Sequence, residues 1–263
     1  MDAELSQRLE LAVSAAREAG QLTLRYFQRD DLAVELKRDA TPVTVADRES
    51  EKLMRERISR AFPADGILGE ELAETSGTSG FRWILDPIDG TKSFIHGVPL
   101  YGTLIGVEHG GESVLGVIQL PALQESAYAV RGHGAWHVKG DQAPRAARVS
   151  ACAKLEDALF CTSEVVTFAQ VGRHAAFEQF QAATRLTRTW GDCFGYLLVA
   201  TGRADVMVDP QMSIWDAAAL QPILEEAGGT FTDWQGRPTI HSGNGIATNG
   251  HLLQDVLAIS RMY

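Results

Sequence analysis

The stretch LGEELAETSGTSGFRWILDPIDGTKSF, residues 68 to 94, places the adjacent glutamates Glu70 and Glu71 a short loop before an apolar run that ends in Asp86, Asp89 and Thr91. Several carboxylates drawn together in a partly dry site repel one another and raise each other's pKa unless a cation neutralises them. Carboxylates and carbonyls are hard oxygen ligands suited to magnesium, which keeps several waters and favours substrate phosphate over an all-protein cage; the same ligands accept Mn²⁺. Gly90 and Thr91 follow, and they turn the chain into a predicted short helix whose first amides would point at an anion. The Thr91 hydroxyl is placed to orient or relay a proton from an attacking water. Taken singly, each residue has a plainer role: Asp89-Gly90 suits a turn, Glu70 and Glu71 a solvated loop edge, Asp47 a helix cap, and Asp216 a residue in a helix's first turn. Their co-occurrence is what points to chemistry.

These groups need elements to carry them. Asp86 follows Trp83, Ile84 and Leu85 and precedes Pro87, so the predicted strand ends at Asp86, with Asp89 across a turn. Thr44 and Asp47 have the spacing of a capping box ahead of a helix presenting Met54, Ile58 and Phe62. Leu9, Val13, Ala16, Gly20, Leu24 and Phe27 predict a first helix running to about Gln28. From FRWIL onward, short apolar runs broken by turns predict an antiparallel meander, and beyond about residue 147 strands and helices alternate, with one helix near 172–183 and others from Asp192 and Trp215. The expected class is α/β. An α+β half, 1–146, would carry the acidic motifs, and an α/β half, 147–263, the last acidic residue; the seam falls near DQAPRAARV, with no repeat or low-complexity tract.

The ordered motifs KRDATPVTVADRESE, LGEE, WILDPIDGTKSFIHGVP and SIWDAAALQPILEEAGG resemble those of the inositol-monophosphatase-like, metal-dependent, lithium-sensitive phosphatases over nearly the whole chain. The resemblance implies a layered αβαβα sandwich with the metals between its halves. It implies that Glu70, Asp86 and the Ile88 carbonyl hold a first magnesium, that Asp86, Asp89 and Asp216 hold a second, and that a weaker third ion sits near Glu70. It further implies that Asp47 and Thr91 orient the water and that the Gly90 and Thr91 amides meet the phosphate. Two ions about 3.5–4 Å apart stabilise both the entering and the leaving oxygen of an in-line displacement.

Substrate choice lies outside these motifs, in RTWGDCFGYLLVATGRADVMVDP. Trp190, Asp192 and Asp209 offer an aromatic wall and two carboxylates, which suit a flat ring with cationic nitrogens better than a neutral polyol. The segment resembles the histidinol-phosphate phosphatase branch of the family. Trp190 as a core residue and Asp192 as a helix cap are the plainer roles, Asp209 does not discriminate between substrates, and Arg188 either braces the loop or reaches the substrate. His96 is expected to pack or hydrogen-bond beside the phosphate helix, Lys92 to be a surface charge or a site residue, and Lys37 to approach the third ion's waters. The competing functions are an inositol or sugar monophosphatase and a non-catalytic binding protein that kept the fold.

The totals narrow the field. The 24 basic and 34 acidic side chains give a net charge of −10, which repels a polyphosphate backbone and argues against nucleic acid. No apolar run reaches the roughly 18 residues of a membrane span. The start, MDAELSQRLELAVSAAREAG, lacks the basic-then-apolar order of a secretion signal and is expected to be a mature end. Three cysteines, Cys152, Cys161 and Cys193, fit neither a disulfide framework nor a zinc site, so a cytoplasmic setting is expected. By resemblance, a homodimer is expected.

Overall fold

The computed structural model describes residues 3–262; Met1, Asp2 and Tyr263, which fall within the sequence-based expectations for the two ends, lie outside the described residues. Strand β4 (Phe81–Asp89) explains its own composition, since Trp83 and Leu85 face one apolar layer while Ile84 faces another. A strand buried on both faces reads as an unbroken apolar run. It sits in a seven-stranded sheet that also holds β3 (Gly66–Gly69), β5 (Gly102–His109), β6 (Glu112–Leu120), β7 (Glu125–Val130), β8 (Ala135–Lys139) and β9 (Arg145–Ala146), paired in chain order. Only the β3–β4 pair is parallel; the rest form the expected antiparallel meander.

Outside this sheet lie α1 (Ala3–Thr23) and α2 (Val45–Ala61), with the small hairpin β1 (Val34–Leu36) and β2 (Pro42–Thr44) between them in the chain. Ala12, Ala15, Ala16 and Ala19 of α1, with Met54 and Ile58 of α2, pack on Ile105, Val107, Leu115 and Val117. The buried stripe of α1 is therefore alanine, and Leu9 and Val13 only border it. Regular helix stops at Thr23, short of the expected Gln28: the Thr23 hydroxyl donates to the Gly20 carbonyl, and turns carry the chain to Gln28, whose φ is +60°.

The other face of the sheet meets a helical layer of α6 (Asp192–Ala200), α7 (Ile214–Ala218) and α8 (Leu220–Glu226). Beneath it lies a five-stranded sheet in the order β11 (Leu186–Arg188), β10 (Leu159–Cys161), β12 (Val206–Asp209), β14 (Gly245–Thr248), β13 (Thr230–Thr232). Its far face carries α4 (Val165–Gln170), α5 (His174–Ala183) and α9 (Leu253–Ser260), packed through Phe168, Phe177, Phe180 and Trp234. The layers run αβαβα. The helix expected near 172–183 begins instead at His174, because Gly172 at φ +75° separates it from α4. Among the described residues no helix is long and apolar enough to cross a membrane.

Candidate active site

Asp86 and Asp89 come together through a bulge. β4 does not end at Asp86 as expected; Asp86 pairs with Leu104 and Asp89 with Gly102, so Pro87 and Ile88 together stand opposite the single residue Thr103. A proline is tolerated there because a bulged residue needs no ladder donor, and its carbonyl accepts the Thr103 hydroxyl at 2.9 Å. The Asp86 carboxylate accepts the Ile88 amide at 3.0 Å, which curls the bulge around it. Asp216 arrives from the central helical layer. It closes a capping box with Ser213 at the start of α7, accepting the Ser213 amide at 2.6 Å, and the Ser113 hydroxyl fixes the helix by donating to the Ala218 carbonyl. One carboxylate oxygen from each of Asp86, Asp89 and Asp216 lies within 4.8 Å of the others.

Burial raises the pKa of Asp86 and Asp89 well above the ordinary carboxylate value, followed by repulsion from Glu70, Asp89 and Asp216 at Asp86 and from Asp192 and Asp216 at Asp89. Burial pushes Asp216 up to about 7. A protein avoids such clustering unless a cation offsets it, and the donors are oxygen throughout, so the group fits a hard divalent ion. Glu70 stands at the end of β3, its amide bonded to the Leu85 carbonyl beside Asp86, and its pKa is also raised by burial.

Asp47 comes from the first turn of α2, in the expected capping box. Thr44 donates its amide and its hydroxyl to Asp47 Oδ2 at 2.8 and 2.7 Å, while Oδ1 is buried with no partner among the described residues. An orphaned buried carboxylate oxygen is costly, and its pKa is pushed up to about 6 by burial. Thr91 opens the short helix α3 (Thr91–Ile95) and donates its hydroxyl to the Ile88 carbonyl at 3.1 Å. Gly90 before it has φ +86°, and a Cβ there would lie 2.8 Å from Asp192 Oδ2, so only glycine suits both backbone and space.

Asp192 reaches the cleft by an uncommon backbone, φ +52°, a left-handed conformation costing roughly 1–2 kcal/mol for a non-glycine residue. Its amide is held by Ser163 Oγ at 2.8 Å, and the next amide, Cys193, donates to Asp89. The Asp192 pKa is pushed up to about 7, chiefly by burial and then by Asp209. The cleft lined by Glu70, Asp86, Ile88, Asp89, Gly90, Thr91, Asp192 and Asp216 measures about 660 Å³, and Asp47 is not part of its lining.

Three further residues expected to bind substrate lie as follows. Asp209 borders the cleft, but its carboxylate is saturated by the Ser163 amide and hydroxyl, Thr162 and the Tyr196 hydroxyl, so it braces the wall. Trp190 is neither core nor cleft wall: it is 38% exposed, with the Arg188 guanidinium 5.8 Å from its ring centroid. Arg188 donates to the Thr187 carbonyl, and neither residue lines the cleft. The left-handed turn at Asp192 sends that carboxylate inward and leaves Trp190, two residues earlier, outside.

Lys37 binds Glu70 and Glu71 directly, Nζ lying 2.6 Å from an oxygen of each. Lys92 is exposed and bridges to Glu164 at 2.6 Å, and His96 Nδ1 pairs with the Lys92 carbonyl beside α3 as expected. Sequence reasoning missed Ser163, Glu164, Cys193 and Tyr196. Ser163 and Glu164 follow the parallel strand β10, and carboxyl ends of such strands are where open α/β sheets bind ligands, a signal that was available.

The model of the inositol monophosphatase family matches residues 4–262. The chain belongs to that family. Membership makes it a phosphoric monoester hydrolase. Among its relatives, the inositol monophosphatase family includes the histidinol-phosphatase of Chlorobaculum parvum, 48% identical with 91% of each chain covered, and that of Streptomyces coelicolor, 41% identical with 95% of each covered. In structure the chain is similar to the inositol monophosphatase of Zymomonas mobilis, with a TM-score of 0.86 at 34% identity over 99% of this chain and 100% of that one. The Thermotoga maritima enzyme superposes with a TM-score of 0.87 at 32% identity over 97% of each chain.

Proposed function

We propose that this phosphatase hydrolyses L-histidinol phosphate, a small phosphate ester, as a step of histidine biosynthesis in the cytoplasm. The observation that carries this reading is the 48% identity, over nine-tenths of both chains, to a protein named histidinol-phosphatase. The site supports it: the Asp192 carboxylate projects over Gly90 with no hydrogen-bond partner for its side chain among the described residues, where a substrate ammonium would find its counter-charge.

Two to three magnesium ions, or Mn²⁺, would be held by Glu70, Asp86, Asp89, Asp216 and the Ile88 carbonyl, supplying the positive charge and Lewis acidity that let water attack a phosphate ester near neutral pH. This chain's groups do the rest. The free Oδ1 of Asp47 and the hydroxyl of Thr91 hold the water's protons so that its lone pair faces phosphorus. The amides of Gly90 and Thr91 meet the phosphate oxygens, and Asp192 fixes the far end of the ester, so that catalysis is mainly orientation and charge. A homodimer is part of the same reading.

The test is phosphate release from histidinol phosphate and from inositol 1-phosphate, with Mg²⁺ and with EDTA. Preference for the first ester and loss in EDTA are expected; preference for the inositol ester would overturn the substrate assignment. Asp192→Asn should raise KM for histidinol phosphate far more than for a neutral ester.

A further inference from the structure

The loop that presents Glu70 and Glu71 is held by a carboxylate that touches neither the cleft nor its acidic cluster. Glu51 lies on α2, one turn after Asp47, and is fully buried. Its Oε2 accepts the Glu71 amide at 2.7 Å; its Oε1 accepts the Leu72 amide at 3.2 Å and Arg55 Nε at 2.7 Å. Arg55, one turn further, donates to the Leu72 carbonyl at 3.0 Å, so both backbone groups of Leu72 are gripped by the same pair. A buried carboxylate is tolerated only when it is paired and hydrogen-bonded, and here every bond but the ion pair goes to this loop.

Gly69 records how closely the carboxylate is seated. A Cβ at that position would lie 2.1 Å from Glu51 Oε1 and 2.3 Å from its Cδ, so Glu51 occupies the side-chain space of the residue before Glu70. The rest of the loop is ordered by backbone bonds of Ile67 with Thr75 and of Thr78 and Ser79 with the Ala64 carbonyl, and by Lys37 between the Glu70 and Glu71 side chains, whereas Glu51 is the group that holds the Glu71 and Leu72 amides. Fixing the Glu71 amide fixes the peptide between Glu70 and Glu71, and hence the direction in which both side chains leave the backbone.

We propose that Glu51, braced by Arg55, is a positioning residue for the reaction: it sets the aim of Glu70, so that the affinity of the site for a divalent cation depends on a carboxylate that does not touch the cation. The proposal rests on the metal reading given above. Because α2 also carries Asp47, one rigid helix registers the water-orienting carboxylate against the cation-binding loop.

The test is Mg²⁺ binding by titration calorimetry on metal-stripped, substrate-free protein, with phosphate release measured alongside. Glu51→Gln keeps size but replaces an acceptor with a donor facing an N–H; Arg55→Met keeps the apolar stem and frees the Leu72 carbonyl. Loss of an outer partner of this kind weakens metal binding about 10–100-fold, so Glu51→Gln should raise the Mg²⁺ Kd by that range and Arg55→Met by less, with kcat at saturating Mg²⁺ within about twofold. Ile58→Val, which trims a fully buried side chain on the same helix, should lower Tm and leave the Mg²⁺ Kd unchanged. Wild-type Mg²⁺ affinity in both Glu51→Gln and Arg55→Met overturns the proposal, and Arg55→Met decides alone if Glu51→Gln does not fold. A wild-type protein that binds no Mg²⁺ would remove the metal reading and this proposal together; normal wild-type binding with unaffected variants removes this proposal only.

Discussion

Replacing Asp89 with asparagine should stabilise the protein in EDTA and destabilise it relative to wild type in Mg²⁺, a reversal that follows from the cluster's geometry. Two unit charges 4.8 Å apart, the outer limit for the acidic group, repel by about 3.5 kcal/mol at an effective dielectric of 20. Proton uptake and relaxation take up part of this, so relief of about 1–3 kcal/mol is expected above pH 7.5, or about 2–6 °C in Tm. The substitution is otherwise gentle, since the asparagine carbonyl can still accept the Cys193 amide. The pH dependence has a definite sign. The raised pKa values of Asp86, Asp89 and Asp216, the last at about 7, mean that the folded state holds these protons more tightly than the unfolded chain. Their contribution is complete below the unfolded value near 3.8 and is lost as pH rises through the folded values. In EDTA, wild-type Tm should therefore carry a falling component from about pH 4 to 8 that is shallower in Asp89→Asn. Saturating Mg²⁺ reverses the order, because a ligand at a hundred times its Kd adds about 2.7 kcal/mol to the form that binds it. Differential scanning fluorimetry across pH, with EDTA and with Mg²⁺, reads all four cases. The reasoning is refuted if Asp89→Asn melts at or below wild type in EDTA at pH 8, or if Mg²⁺ stabilises both proteins equally.

Three further outcomes are expected. Thr91→Val, which keeps shape and removes the hydroxyl now on the Ile88 carbonyl, should lower kcat by about 10²–10⁴-fold with Tm nearly unchanged, as measured by phosphate release and thermal melting. Trp190→Ala should change stability by no more than about 0.5 kcal/mol in chemical denaturation and leave KM near wild type, because the ring lies on the surface and off the cleft. His137, buried between Glu125 at 2.6 Å and Arg145 at 3.2 Å, has its pKa lowered by burial, so its share of stability is present above the ordinary value of 6.5 and is lost as pH falls through the folded pKa; melts from pH 7.5 to 5 should show that loss, weaker in His137→Gln.

What was legible in the chain was local. The Thr44–Asp47 box is written in residues three apart, and the alternation of strand and turn after residue 81 survives folding because each strand's neighbours lie next to it in sequence. Convergence was not local. Asp86 and Asp89 meet because a proline is carried inside a strand as a bulge, whereas proline chemistry by itself ends the strand at Asp86 rather than at Asp89. Asp192 and Trp190 differ by two positions and by a whole surface, and what separates them is one residue at positive φ, a state that no composition or periodicity encodes. The same limit hid Glu51. As a charged residue on an amphipathic helix it reads as a solvated face, yet the glycine at position 69 clears room for it under the cation-binding loop. Around the acidic cleft, closely approached glycines and one left-handed residue mark where backbone and side chain from distant segments share space: Gly69 and Gly90 make room, and Asp192 bends to use it.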